Sequence, residues 1–187
     1  MSIFISTGGY KTKTPKESIE MLMDQNITNI ELSGGKYSEN LINDILKYKN
    51  ICKFQVHNYF PPHKDSFVIN LASLDKEIEK KSLNHVEQSI VLANKLGATH
   101  YSVHAGFLLD PKPKELGSSI IKTKIFDKEK SKEKFFKNII KISEIAKNHK
   151  IKILVENNVV SKKNLKNFGL NPFLISNPEE IREFLSQ

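Results

Sequence analysis

Hydrophobic positions along the chain follow two rhythms. Short runs rich in β-branched and aromatic residues, at 3–6, 27–32, 51–58, 98–107 and 151–157, read as strands. Between them the apolar positions recur at helical spacing. Ile19, Leu22 and Met23 form one stripe, Leu41, Ile42, Ile45 and Leu46 a second, and Ile78, Val86, Ile90 and Ala93 a third. A fourth, with Phe136, Ile139, Ile140, Ser143 and Ala146 inward, lies in a helix from about 127 to 148. Start and stop signals agree. Thr14-Pro15-Lys16-Glu17 supplies a cap, a first-turn proline and a glutamate three residues on. Ser38 and Ser73 stand where the next two helices begin, Gly97 closes the long one, and Asn177-Pro178-Glu179-Glu180 opens a last helix. The stretches 58–70 and 108–126 read as long loops, 157–169 as a polar loop, and 172–175 as a short extended piece.

Strand and helix thus alternate five times with helix-length spacers, the sign of parallel βαβ units with right-handed crossovers. The expected fold is α/β of the (β/α) TIM-barrel type, with about five of eight units present and one domain spanning residues 1–187. An eight-unit barrel usually takes about 250 residues.

Three of the strands end in a potential ligand. The run at 51–58 stops at His57, the run at 98–107 turns off at His104-Ala105-Gly106, and the run at 151–157 stops at Glu156. Active sites of barrels are built at the C-terminal strand ends. Imidazole and carboxylate together suit Zn, Mn, Fe or Co, whereas Mg prefers oxygen alone. A carboxylate closing an apolar strand is costly unless paired or ligated. His57, His104 and Glu156 are therefore the candidate metal ligands, with Zn, Mn or Co as the expected ion. Glu31, Asn58 and Asn157, near the same strand ends, are candidate substrate-binding residues. His63, His85, His100 and His149 do not share the strand-end position.

Composition changes this picture in two ways. Cys52 is the single cysteine, which excludes a disulfide framework and points to a reducing, cytoplasmic setting. It reads as a small buried hydrophobe, and no window resembles a membrane span or a signal peptide. The net charge of +8 would fit a phosphate-rich partner, but Arg182 is the sole arginine and the lysines are scattered over helix faces. They read as solvated surface, which disfavours nucleic acid as a partner.

The segments Val56-His57-Asn58-Tyr59, Ile69-Asn70-Leu71-Ala72-Ser73 and Val103-His104-Ala105-Gly106, followed by Leu154-Val155-Glu156-Asn157-Asn158, resemble the superfamily that joins endonuclease IV to the xylose-isomerase-like sugar phosphate isomerases and epimerases. In the endonuclease branch, residues matching His57, His104 and Glu156 are zinc ligands. In the isomerase branch, the residue matching Glu156 binds a divalent metal and takes part in proton transfer. Both branches draw further ligands from later strands, including an Asp-x-x-His pair that nothing after Glu156 supplies, so the resemblance implies a barrel truncated after its fifth strand.

What the resemblance implies about function is a metal-dependent sugar or sugar-phosphate isomerase or epimerase, with Glu156 as the catalytic residue. An abasic-site endonuclease and a non-catalytic barrel fragment are the alternatives. Open sheet edges would lead the chain to form homo-oligomers or to recruit the complementary barrel segment.

Overall fold

A parallel sheet of five strands in the order β1-β2-β3-β4-β5 forms the framework. The structure, a computed structural model, describes residues 2–10 and 13–186. Along the chain the elements are β1 (Ile5–Ser6), α1 (Pro15–Met23), β2 (Asn29–Leu32), α2 (Leu41–Leu46), β3 (Lys53–His57), α3 (Lys76–Lys95), β4 (His100–His104), α4 (Lys128–Asn148), β5 (Lys152–Glu156), α5 (Lys162–Phe168) and α6 (Pro178–Leu185). Ile5 faces Ile30, Ile30 faces Phe54, and Val56 faces Tyr101 across the ladder, which aligns the C-terminal strand ends.

The chain forms two compact units. The first comprises Met1–Ser66, Val86–Val103 and Ser143–Leu154 and holds most of the sheet. Its core buries Ile30, Leu32, Phe54, Val56, Tyr101 and Val103 from the strands, with Ile19 and Leu22 of α1, Ile45 of α2 and Ile90 and Ala93 of α3. Each of the Val, Leu, Ile and Phe side chains among these contributes about 1.5–3 kcal/mol by leaving water. Cys52 is buried here too, and burial raises its thiol pKa, so it is the inert hydrophobe its sequence context predicts. The start of α1 is as expected: Thr14 accepts from Glu17 N–H, and the Glu17 carboxylate returns to Thr14 N–H at 2.7 Å.

The second unit comprises Phe67–His85, His104–Ile142 and Val155–Gln187. Leu71, Leu108, Leu109, Phe135, Ile142 and Leu174 form its core. Phe107 packs edge-on against Phe173, and Phe184 of α6 lies on Phe135 and Phe136. Among the described residues no helix is long and apolar enough to cross a membrane.

Several elements differ from the sequence expectation. The buried face of α4 is Ser131, Phe135, Asn138, Ile142 and Ala146, while Ile140 is 62% exposed. The expected stripe is out of phase because two of the inward positions are polar. Asn138 satisfies itself by donating to Leu71 O at 2.9 Å and Glu79 Oε1 at 3.2 Å. Residues 162–168, expected to be loop, are α5: Ser161 accepts from Asn164 N–H, and Gly169 ends the helix at φ 75°. The 172–175 piece forms only an isolated antiparallel bridge, Phe173 to Phe107. Ser38 does not cap α2, whose N-cap is Asn40 with no side-chain bond. At the start of α3, Asp75 accepts from Glu77 and Ile78 N–H, and Ser73 Oγ, two residues earlier, accepts from Asp75 N–H.

Candidate metal centre

The strand-end residues of the first unit form a relay running along the sheet order. Thr7, just past β1 and fully buried, accepts from the backbone N–H of Ser33 at 3.0 Å. Ser33, just past β2, places its Oγ 2.9 Å from Nδ1 of His57, the last residue of β3. Gly8 leaves room for this, since a Cβ there would stand 3.3 Å from Ser33 Oγ. The ring of His57 is thereby oriented through one nitrogen, the arrangement by which ligating imidazoles are usually held. His57 also pairs in register with Ser102 of β4, two residues before His104.

In the second unit, His104 closes β4 and Glu156 closes β5. The backbone N–H of Ala105 donates to the carbonyl of Glu156 at 2.9 Å, which fixes the two strand ends side by side. His104 Nε2 then stands 3.8 Å from Glu156 Oε2, with the two side chains 32% and 43% exposed. As a partly exposed ion pair this contact would contribute little stability, about 0–1 kcal/mol. Two donors about 2.0–2.2 Å from one ion stand roughly 3–4 Å apart. The separation, the mixed nitrogen and oxygen donors and the access to solvent fit a divalent ion. His104 and Glu156 thus constitute a His/Glu pair that can hold such an ion.

The segments around these residues are held by buried asparagines. Asn158, two residues past Glu156, donates to the carbonyls of Ala105, Gly106 and Leu174. Asn70 accepts from Ala72 N–H and Phe107 N–H through Oδ1, and Nδ2 donates to Phe107 O, Leu109 O and the Asp110 carboxylate. Burial raises the Asp110 pKa in spite of the bonds from Asn70 and Ser73. Such roles are hard to see in a sequence, because the partners are backbone atoms far along the chain. The one available signal was the clustering of Asn and Ser directly after strand ends.

The other expected site residues fall as follows. Glu31 lies in β2, opposite Gln55, and its charge acts on His100, whose pKa burial holds down against that pull. Asn58 is 1% exposed; its N–H donates to Ser102 O at 2.7 Å and its carbonyl accepts from the Tyr101 hydroxyl at 2.8 Å. Burial holds the hydroxyl of the next residue, Tyr59, well above its usual pKa. Asn157 is exposed, with Nδ2 3.5 Å from Asn158 O.

Comparisons with known proteins bear on the fold. A D-tagatose 3-epimerase-like protein superposes with a TM-score of 0.70 at 19% identity, covering 100% of this chain and 61% of its own. The D-psicose 3-epimerase of Clostridium cellulolyticum H10, solved with D-tagatose, gives 0.65 at 17% identity, covering 100% and 59%. The 3-keto-D-glucoside 4-epimerase of E. coli gives 0.67 at 11%, covering 100% and 64%. The chain therefore spans about three-fifths of the length of these structures. No match to a curated protein was found. The family described as xylose isomerase-like TIM barrel matches residues 17–187, and the chain belongs to that family.

Proposed function

We propose that this chain is the N-terminal part of one barrel domain carrying a metal-dependent sugar or sugar-phosphate isomerase or epimerase site. The observation that carries the reading is the His104–Glu156 pair, 3.8 Å apart at the ends of adjacent strands. His57, oriented by Ser33 on the neighbouring strand, is the third ligand of the proposal. The names of the structural neighbours, sugar epimerases, support the substrate class.

A divalent ion bound there would polarise a carbonyl and the hydroxyl beside it. Glu156 would then accept the proton of the carbon next to that carbonyl and return it to the former carbonyl carbon for isomerisation, while the hydroxyl proton passes to the former carbonyl oxygen. Inverting a carbon needs a second acid on the opposite face of the sugar, because one carboxylate reaches one face. Glu31 and Asn157 take substrate hydroxyls in this proposal, while buried Asn58 sets the loop that carries Tyr59.

The test is solvent exchange. Incubated with Mn²⁺ in D₂O, a ketohexose or its phosphate should gain deuterium beside the carbonyl, followed by NMR, and Glu156→Gln should stop it. Absence of exchange with all such substrates, under conditions where metal is bound, would remove the catalytic reading. Ser33→Ala separates orientation from ligation: it deletes the bond to His57 Nδ1 and should weaken Zn²⁺ binding roughly 10–100-fold in calorimetry, the usual cost of losing such an orienting partner.

A further inference from the structure

We propose that Asn158 is a positioning residue that sets the separation of His104 and Glu156, an inference that rests on the metal-site reading above. Asn158 is 6% exposed. Its Nδ2 lies 2.8 Å from Ala105 O, 3.0 Å from Gly106 O and 3.0 Å from Leu174 O. An amide nitrogen has two protons, so these three acceptors share them and the group is fully used. Its own N–H donates to Ile175 O at 3.0 Å, which fixes the backbone from which the side chain reaches out.

The location gives these bonds their consequence. The ladder of β4 ends at His104 and that of β5 at Glu156. Past those points the Ala105 N–H to Glu156 O bond and the Asn158 amide both tie the two strand ends together. The amide grips the two residues that follow His104 from a position two residues after Glu156. Remove it and Ala105 and Gly106 lose their side-chain donor, so the His104 and Glu156 donor atoms sample a wider range of separations. A bound ion must then pay that ordering entropy itself.

The experiment compares Asn158→Ala with Asn164→Ala. Asn164 is similarly buried, at 4%, and its side chain accepts from Ile120 N–H and donates to Ser118 O, two bonds against three, but it serves the 118–120 loop. Both variants should lose similar thermal stability. Only Asn158→Ala should weaken Co²⁺ binding, by roughly 10–100-fold, and alter the visible spectrum of the bound Co²⁺. In the metal-free proteins, nuclear Overhauser contacts between the His104 ring and the Glu156 side chain should vanish in Asn158→Ala and persist in Asn164→Ala. Should Asn158→Ala fail to fold, Asn158→Ser, which keeps one short donor, is measured in its place. Equal losses of affinity in the two alanine variants, or unchanged affinity, spectrum and contacts in the Asn158 variant, overturn the inference. A wild-type chain that binds no Co²⁺ overturns the metal-site reading instead, and the metal-free contacts then decide the role of Asn158 alone.

Discussion

Replacing His104 by Ala and Glu156 by Gln together should reduce Zn²⁺ or Mn²⁺ affinity by at least about 1,000-fold, read as the loss of calorimetric heat on titration. A structural zinc site is worth about 10–16 kcal/mol over four ligands, or roughly 3 kcal/mol per donor, and every 1.4 kcal/mol is a factor of ten. Two donors removed therefore predict about 6 kcal/mol before water replaces them. Glu156→Gln keeps size and one carbonyl oxygen, so it removes charge without opening a cavity. The fold should survive, because both side chains are partly exposed and their mutual contact contributes little. Unfolding by urea should give midpoints close to wild type in the absence of metal. The diagnostic pattern is a protein of ordinary metal-free stability that has lost its metal-induced rise in Tm. Heat that persists in the double variant would place the bound ion elsewhere, with the surface carboxylates as background.

Such a variant can be chosen from the sequence because strand-end position follows from hydrophobic periodicity alone. His57, His104 and Glu156 each close an apolar run, and each is the last residue of its strand. The five strands, their parallel order and the start of α1 were readable for the same reason: alternation, capping residues and spacer length are local properties. What the periodicity misplaced was long-range. The α4 face was misphased because Ser131 and Asn138 lie inward, and Asn138 is tolerated there only through partners at Leu71 and Glu79, more than fifty residues away. The helix α5 carries three lysines and two asparagines in seven residues, a loop-like composition, and it forms because Ser161 caps it and Asn164 and Asn167 dock on 118–120. The roles of Thr7, Ser33, Asn70 and Asn158, which orient the candidate ligands or hold their loops, were hard to read on the same grounds. Their bonds to Ser33, His57, Phe107 and Ala105 span 24 to 53 positions along the chain.

Gly106→Ala should be the most damaging single methyl that can be added to the second unit. The backbone of Gly106 is not in the left-handed region, so alanine costs nothing in φ; the obstacle is space. A Cβ at 106 would stand 2.2 Å from the Cβ of Ala72 and 3.2 Å from its backbone nitrogen. Ala72 cannot retreat easily: it is fully buried, and its N–H donates to Asn70 Oδ1 at 3.1 Å. The same Oδ1 accepts from Phe107 N–H at 3.0 Å, so one oxygen ties the 106–107 turn to the 72 turn, and separating them breaks one bond or both. Overpacking costs about 1–3 kcal/mol, and a lost buried hydrogen bond adds about 1 kcal/mol or more. A loss of roughly 3 kcal/mol is expected, seen as a lowered urea midpoint at unchanged slope. Ala72→Gly tests the cause. Alone it should cost about 1 kcal/mol, from one buried methyl and added chain entropy. Combined with Gly106→Ala it moves the methyl across the contact, and the double variant should recover about 2 kcal/mol relative to the sum of the singles. Because His104 lies two residues before the clash, Gly106→Ala should also weaken metal binding, and the double variant should restore it. Strictly additive losses would show that the contact with Ala72 is not what excludes a side chain at 106, and would refer the cost to the carbonyl of Gly106 and its bonds to Asn158 and Leu174.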